Sequence, residues 1–394
     1  MKRCLALLAL IAPNVYALEV PSTGIQPHGL QRYCTAVDCV DSLGKFKNIY
    51  TIEKSNTPQV IPRRENLSRS DQAVADRASA VFERNPAVAM LLIEHGEIIF
   101  ERYDPRVNEK TPLLGYSMSK SLTSLNVGKA ICSGLLGPIE TQAKKINPAL
   151  NGLSYGEATI KELLTMSSGS IRGTVKDGGN PGNAGLGNPA FEKLYWDIPH
   201  QLKAFGRYER NRDGELLKPG AEFNYKNLDT QTLALLFKTD GDTSFQKFFE
   251  KNVWQSIGAE RDGYWIYDNN GIVHSPSSFH ATLRDWGRVA LYLQNVLVAN
   301  QQDDCFTNYL KEATRQQIRN RGKEAGEEYW TGRAFAGYGY QFWTNPIGDS
   351  SDAFFMLGYR GQRIAVNPKT GHIMVVISSE ENYMGALYDL FAKW

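Results

Sequence analysis

Short apolar runs broken by turn residues open and close the globular part of the chain, and helix-period patterns fill the space between. Ala87 to Glu94 is an apolar run, His95-Gly96 supplies a turn, and Glu97 to Tyr103 resumes with Ile98, Ile99 and Phe100, the pattern of a β-hairpin. Near the carboxyl end, Phe354 to Leu357, Arg363 to Val366 and Ile373 to Ser378 have the length and composition of sheet strands. The sheet therefore draws strands from both ends of the chain. In between, Met118, Leu122, Leu125, Ile131 and Leu135 recur at near-helical spacing until Gly134, Gly137 and Pro138 interrupt them. This predicts a buried helix whose amino terminus carries Ser117. Ile160 to Met166, Leu228 to Lys238 and Leu283 to Asn295 repeat the helical period between Gly-, Asn- and Pro-rich loops, and Tyr383 to Trp394 reads as a last amphipathic helix.

The segment before this pattern is different. Lys2 and Arg3 precede an apolar run from Cys4 through Ala12, and Val15-Tyr16-Ala17 offers small residues for a signal peptidase. Residues 1–17 are expected to be a signal peptide and the mature protein to be periplasmic or secreted; the apolar run is too short to span a bilayer, so no stable membrane insertion is expected. Residues 18–74 are rich in Pro, Ser, Asn and charge, and read as an extended arm wrapped on the main domain. The net charge of +2, from 44 basic and 42 acidic residues well mixed along the chain, argues against a nucleic-acid surface. Oligomeric state is not legible.

Of the five cysteines, Cys34, Cys39, Cys132 and Cys305 survive export, an even count that an oxidising compartment turns into two disulfides. Three pairings are possible, and Cys34–Cys39 with Cys132–Cys305 is favoured; Cys132 also reads as a small buried apolar residue. No CxxC pair or HExxH helix occurs and the six histidines are scattered, so no metal is expected. The run from Gly178 to Pro189 is glycine-rich but lacks the Lys-Ser/Thr of a phosphate cradle, and reads as a loop.

Three elements carry chemistry by their order: Ser117-Met118-Ser119-Lys120, then Tyr225-Lys226-Asn227, then Gly358-Tyr359-Arg360-Gly361-Gln362. A lone S-x-x-K means little, since Ser42 to Lys45 and Ser244 to Lys247 repeat it, as Tyr267-Asp268-Asn269 repeats Y-x-N. Around the three lie Ile160 to Gly169, Pro219-Gly220 before Tyr225, and Ala281-Thr282-Leu283-Arg284-Asp285. In these phrases the chain resembles the serine beta-lactamase-like, penicillin-recognising hydrolases. Val253 to Glu260, followed by Tyr264-Trp265, is similar to the 6-aminohexanoate-dimer hydrolase and esterase branch. The resemblance covers residues 75–394. It implies a beta-lactamase/transpeptidase-like α/β (α+β) fold, an antiparallel sheet flanked by helices with a mostly helical lobe inserted. The α/β lobe would take about 75–116 and 290–394, and the helical lobe about 117–289.

Serine is a weak nucleophile at neutral pH and needs a base in reach together with donors for the developing oxyanion. Residues three apart on a helix share a face, which puts Lys120 beside Ser117. Burial would lower its pKa toward that of a useful base. Tyr225 is the candidate for proton exchange with Ser117 and the leaving group, and Asn227 for bonding Lys120 or a substrate carbonyl, although a residue there also serves as a helix cap. In the third element Tyr359-Arg360-Gly361 stands where the penicillin-recognising pattern has Lys or His, then Thr or Ser, then Gly, on a strand edge. Strand alternation would turn Arg360 away from the face of Tyr359. The literal Lys369-Thr370-Gly371 reads as a hairpin turn. Gly361 would allow close approach, and the Gln362 N–H would join that of Ser117 as the oxyanion hole. The segment Tyr338 to Trp343 and the loop Gly169 to Pro189 are expected to shape the pockets.

The expected function is hydrolysis of a small-molecule amide or ester through an acyl-enzyme on Ser117, with no cofactor. A beta-lactamase or D-alanyl-D-alanine peptidase, and a catalytically silent envelope binding protein, are the alternatives.

Overall fold

The computed structural model describes residues 48–171, 197–211, 213–299, 304–320, 334–346, 352–378 and 384–394. The signal peptide, Cys34–Cys39 and the Gly178 to Pro189 loop expected from the sequence lie outside these residues.

The described chain begins with strand β1 (Ile49–Ile52) and reaches helix α1 (Arg69–Arg84), which starts with a reciprocal cap between Ser68 and Asp71. The hairpin follows as β2 (Ala87–Glu94) and β3 (Glu97–Tyr103), with His95 (φ 49°) and Gly96 (φ 85°) making its two-residue turn. After the short β4 (Leu113–Leu114) come α2 (Met118–Cys132), α3 (Ile160–Leu164) and α4 (Asn227–Ala234). Strands β5 (Gly263–Ile266) and β6 (His280–Ala281) precede α5 (Leu283–Ala299) and α6 (Cys305–Ala313). The remaining strands are β7 (Ile318–Arg319), β8 (Phe335–Tyr338), β9 (Trp343–Pro346), β10 (Phe354–Gly358), β11 (Gln362–Asn367) and β12 (His372–Ser378), before the closing helix α7 (Met384–Ala392).

These strands form an eight-stranded sheet ordered β3-β2-β12-β11-β10-β9-β8-β7. Antiparallel pairing of β2 with β12, from Glu94 with His372 to Ala89 with Ile377, joins the two ends of the chain. The strands read as nearly continuous apolar runs because helices cover both faces. Leu91 and Ile93 of β2, Ile364 and Val366 of β11, and Val375 of β12 pack in one core with Trp286, Val289 and Leu293 of α5. Their alternates Met90, Leu92, Ala365 and Met374 join a second core with Val74, Ala78 and Phe82 of α1 and Leu387 and Phe391 of α7. Helix α5 thus lies against the sheet, in contact with β2, β11 and β12.

A smaller sheet, ordered β1-β5-β6-β4, supports the segment before α2. Of the arm expected over 18–74, residues 49–52 pair with β5, and Arg64 ties the following stretch to Asp71 at 2.9 Å and Glu97 at 2.8 Å. Among the described residues, no helix is long and apolar enough to cross a membrane.

Candidate active site

The chain enters α2 through two constrained residues. A Cβ on Gly115 would come within 2.4 Å of the Trp286 ring, so only glycine fits there. Tyr116 follows with φ 45°, a left-handed conformation rare for a bulky residue. Ser117 then takes the N-cap position with helical rather than extended angles (φ −67°, ψ −5°), and its side chain caps nothing. The Oγ is turned toward Lys120, whose Nζ lies 2.8 Å away. The Ser117 N–H has no hydrogen-bond partner among the described residues.

Almost every residue of α2 is buried, polar ones included, because each polar side chain reaches a partner. Ser119 Oγ accepts from the Phe279 N–H at 3.0 Å, and Ser121 Oγ donates to the Gln341 carbonyl at 2.6 Å. Thr123 Oγ1 donates to the Ser275 carbonyl at 3.1 Å. At the far end a disulfide joins Cys132 to Cys305, the first residue of α6, with Cα atoms 5.7 Å apart. This is the long-range pairing expected from the sequence.

Lys120 is 1% exposed. Besides Ser117 Oγ, its Nζ meets Asn227 Oδ1 at 2.6 Å and the Pro276 carbonyl at 3.0 Å. All three partners are uncharged, and burial alone pushes its pKa well below the usual lysine range. The geometry fits a neutral amine. Asn227 Oδ1 and Pro276 O accept only, so they take the two N–H groups, and the lone pair is left to receive the Ser117 O–H.

Tyr225 is half-buried, its ring centroid 5.1 Å from Lys120 Nζ. Trp343 at 5.3 Å and Tyr338 at 6.2 Å hold that ring from behind. Both are buried, as are Tyr340 and Phe342, so this aromatic segment packs the site more than it lines an opening. Asn227 is the first residue of α4, and Lys226 rather than Asn227 occupies the N-cap.

The third element departs from the sequence expectation. Tyr359-Arg360-Gly361 is a single tight turn joining β10 to β11, not a strand edge, because Arg360 (φ 61°) and Gly361 (φ 91°) take left-handed angles that no strand holds. The alternation argument for Arg360 therefore does not apply; its guanidinium lies 5.2 Å from the Tyr359 ring centroid. Tyr359, 52% exposed, meets Tyr116 edge-on at 5.8 Å. A Cβ on Gly358 would fall 2.3 Å from the Gly115 carbonyl, which shows how closely the turn approaches the serine segment. Gln362 is buried; its Nε2 donates to the carbonyls of Tyr359 at 3.0 Å and Ser378 at 2.8 Å, and its Oε1 accepts from the Ser378 N–H at 2.9 Å. That side chain is committed to holding the turn against β12.

The structure thus brings Ser117, Lys120, Tyr225 and Asn227 together and sets Tyr359, Gly361 and Gln362 on a turn beside them. Lys369-Thr370-Gly371 lies in the β11–β12 turn, and Tyr267 to Asn269 in a turn organised by Asp268, whose Oδ1 accepts from the N–H groups of Asn270 and Ile272. Sequence reading missed the Pro276 carbonyl, which as a backbone group leaves no residue-type signal. Nor does the sequence tell that Lys226 and Asp229, three apart, are both buried with Nζ 3.8 Å from Oδ2. A cleft of about 780 Å³ on the helical side, lined by Leu153, Ile171, Arg207, Tyr208 and Leu216 among others, contains none of the site residues.

A beta-lactamase family model matches residues 74–391, and the chain belongs to that family. No curated protein sequence matches this chain. Solved structures with the same fold include a protein from Bacillus anthracis named, provisionally, as a 6-aminohexanoate-dimer hydrolase (19% identity, TM-score 0.66, covering 89% of this chain and 91% of that one). EstCE1, described as a hydrolase with promiscuous acyltransferase activity, superposes with TM-score 0.58 at 14% identity over 82% of this chain and 98% of its own. A class C beta-lactamase mutant does so with TM-score 0.58 at 13% identity over 84% and 100%. At these identities the likeness speaks for the fold alone.

Proposed function

We propose that this protein is an exported serine hydrolase that cleaves an amide or ester bond of a small molecule through an acyl-enzyme on Ser117. The observation that carries the reading is the environment of Lys120, a buried amine with two N–H groups engaged by neutral acceptors and its third position facing the serine hydroxyl at 2.8 Å. Ser117 Oγ attacks the carbonyl carbon as its proton passes to Lys120 Nζ. The oxyanion takes hydrogen bonds from the main-chain N–H groups of Ser117 and Gln362; each such donor contributes about 3 kcal/mol to lowering the barrier. Tyr225 relays the proton to the departing amine or alcohol. Water then attacks the acyl carbon, the acid leaves, and Ser117 regains its proton.

The names of the structural relatives from Bacillus anthracis and of EstCE1 favour amide and ester substrates. The turn at Tyr359 lacks the lysine or histidine of the penicillin-recognising pattern, which places beta-lactam or D-alanyl peptide substrates second. The Cys132–Cys305 disulfide fits a periplasmic or secreted protein.

The test is the intact mass after exposure to a fluorophosphonate, wild type beside Ser117→Ala, followed by turnover of short amides, esters and a cephalosporin. One adduct, lost in the variant together with a fall in turnover of at least about 10⁴-fold, is expected. Full turnover by Ser117→Ala would overturn the assignment, and no adduct on folded wild type would favour a binding role.

A further inference from the structure

A second buried lysine stands between the two residues that face Lys120. Lys226 is 2% exposed and holds an extended conformation (φ −156°, ψ 149°), so its side chain leaves on the side opposite those of Tyr225 and Asn227. Its Nζ donates to the Ser170 carbonyl at 3.1 Å and lies 3.8 Å from Asp229 Oδ2. Asp229, with no exposed surface, accepts from the Ser168 N–H at 3.2 Å and from Ser168 Oγ at 2.6 Å. The two serine hydroxyls lie 2.6 Å apart. Just outside this set, the Asn224 N–H donates to the Met166 carbonyl at 2.8 Å and the Gly220 N–H to the Ser167 carbonyl at 2.7 Å. The segment leading to Tyr225 is therefore laid along the one that follows α3, and the buried pair carries that attachment into the first turn of α4.

Withdrawing two charges from water is costly, and a well-packed neutral pair commonly stabilises a fold as much or more. Stability alone is a poor account of this pair. Position is a better one, because Lys226 stands directly between Tyr225 and Asn227, and its Nζ and the Asp229 carboxyl are both tied to the Ser168 to Ser170 segment. The geometry points to Lys226 and Asp229 as positioning residues: by clamping the Tyr225 to Asn227 span onto Ser168 and Ser170, they set where the Tyr225 ring and Asn227 Oδ1 stand against Lys120. This rests on the serine-hydrolase reading above. Misplacement of a catalytic group by 1 Å costs on the order of 100-fold in rate.

The experiment compares wild type, Lys226→Met, Asp229→Asn and the double variant by fluorophosphonate labelling rate, by kcat and KM on a p-nitrophenyl ester, and by melting temperature. Each single variant is expected to lose about 10- to 100-fold in kcat and in labelling rate, with KM within about twofold. The double variant leaves no buried charge unpaired, so it melts closer to wild type than either single variant while its kcat stays low. A purely structural pair would lower the melting temperature and leave kcat per folded molecule unchanged, and that result, or return of kcat in the double variant, would overturn the inference. Should wild type take no adduct, the hydrolase reading falls and this inference with it; a labelled wild type with fully active variants removes the inference alone.

Discussion

Lys120 and Lys226 lie on either side of the same short stretch of chain, both buried, and their surroundings assign them opposite work. Lys226 has Asp229 within ion-pair distance, a partner that favours the ammonium; burial pushes the Asp229 carboxyl up, and Lys226 with the Ser168 hydrogen bonds opposes that shift. Around Lys120 the partners are a serine hydroxyl, an amide oxygen and a backbone carbonyl, none of them charged. Burial without a counter-charge pushes Lys120 toward the free amine, whereas burial with one keeps a cation as a strut. What separates a base from a structural cation here is one carboxylate.

The comparison breaks most visibly if Lys120 is removed. Lys120→Met keeps a chain of similar length and should lower kcat/KM by about 10²- to 10⁴-fold, the usual contribution of a positioned base. Acylation kinetics on any turned-over ester measure it, and a loss below about threefold would mean that Lys120 is not the base. A smaller but more specific change converts one site into the other. Asn227→Asp places a carboxylate where Oδ1 now stands 2.6 Å from Lys120 Nζ, so Lys120 comes to resemble Lys226. The new charge raises the Lys120 pKa, so more of the amine is protonated at neutral pH. The limb of kcat/KM that falls as pH drops should move to higher pH, with up to about tenfold lost at pH 7 for each pH unit of displacement. An unmoved limb with uniformly lower activity would assign Asn227 to substrate contact instead.

Those two sites also mark the limits of what the sequence conveys. Ser117 and Lys120 are legible because helical periodicity turns a spacing of three into adjacency, and the apolar repeat from Met118 to Leu135 establishes the helix. Tyr225 and Asn227 follow from their place before another helical run. The strands from Ala87, Phe354, Arg363 and Ile373 are legible as short apolar runs, even though their pairing across the chain ends needed the structure. Nothing in the three-residue spacing of Lys226 and Asp229 tells that the pair is buried, since such a spacing is as common on a solvated surface. Strand β1, four residues in a polar stretch, is too short for alternation to register. The turn at Tyr359 lies between two runs read as separate strands, Phe354 to Leu357 and Arg363 to Val366, but only backbone angles reveal that Arg360 and Gly361 reverse the chain. The resemblance supplied the order of the three elements but carried with it a strand edge that this chain replaces with a turn.

The smallest expected effect tests the premise without catalysis. In the unfolded chain a lysine titrates near pH 10.4, whereas in the folded protein burial holds Lys120 well below that. Between these two values the unfolded state binds more protons than the folded one, so unfolding free energy rises with pH, and this contribution levels off above the unfolded pKa. Lys120→Met lacks the term, while every other titrating group is common to both proteins and cancels in the difference to first order. Denaturant unfolding of both proteins at several pH values should therefore show wild type gaining stability relative to the variant as pH climbs from neutrality toward about 10.4. The absolute offset is not diagnostic, because the variant also leaves Asn227 Oδ1 and the Pro276 carbonyl without their donor; the slope is. Parallel profiles would mean that Lys120 holds its proton as firmly when folded as when unfolded. Lys120 would then be a strut like Lys226, and the base for Ser117 would have to be sought elsewhere.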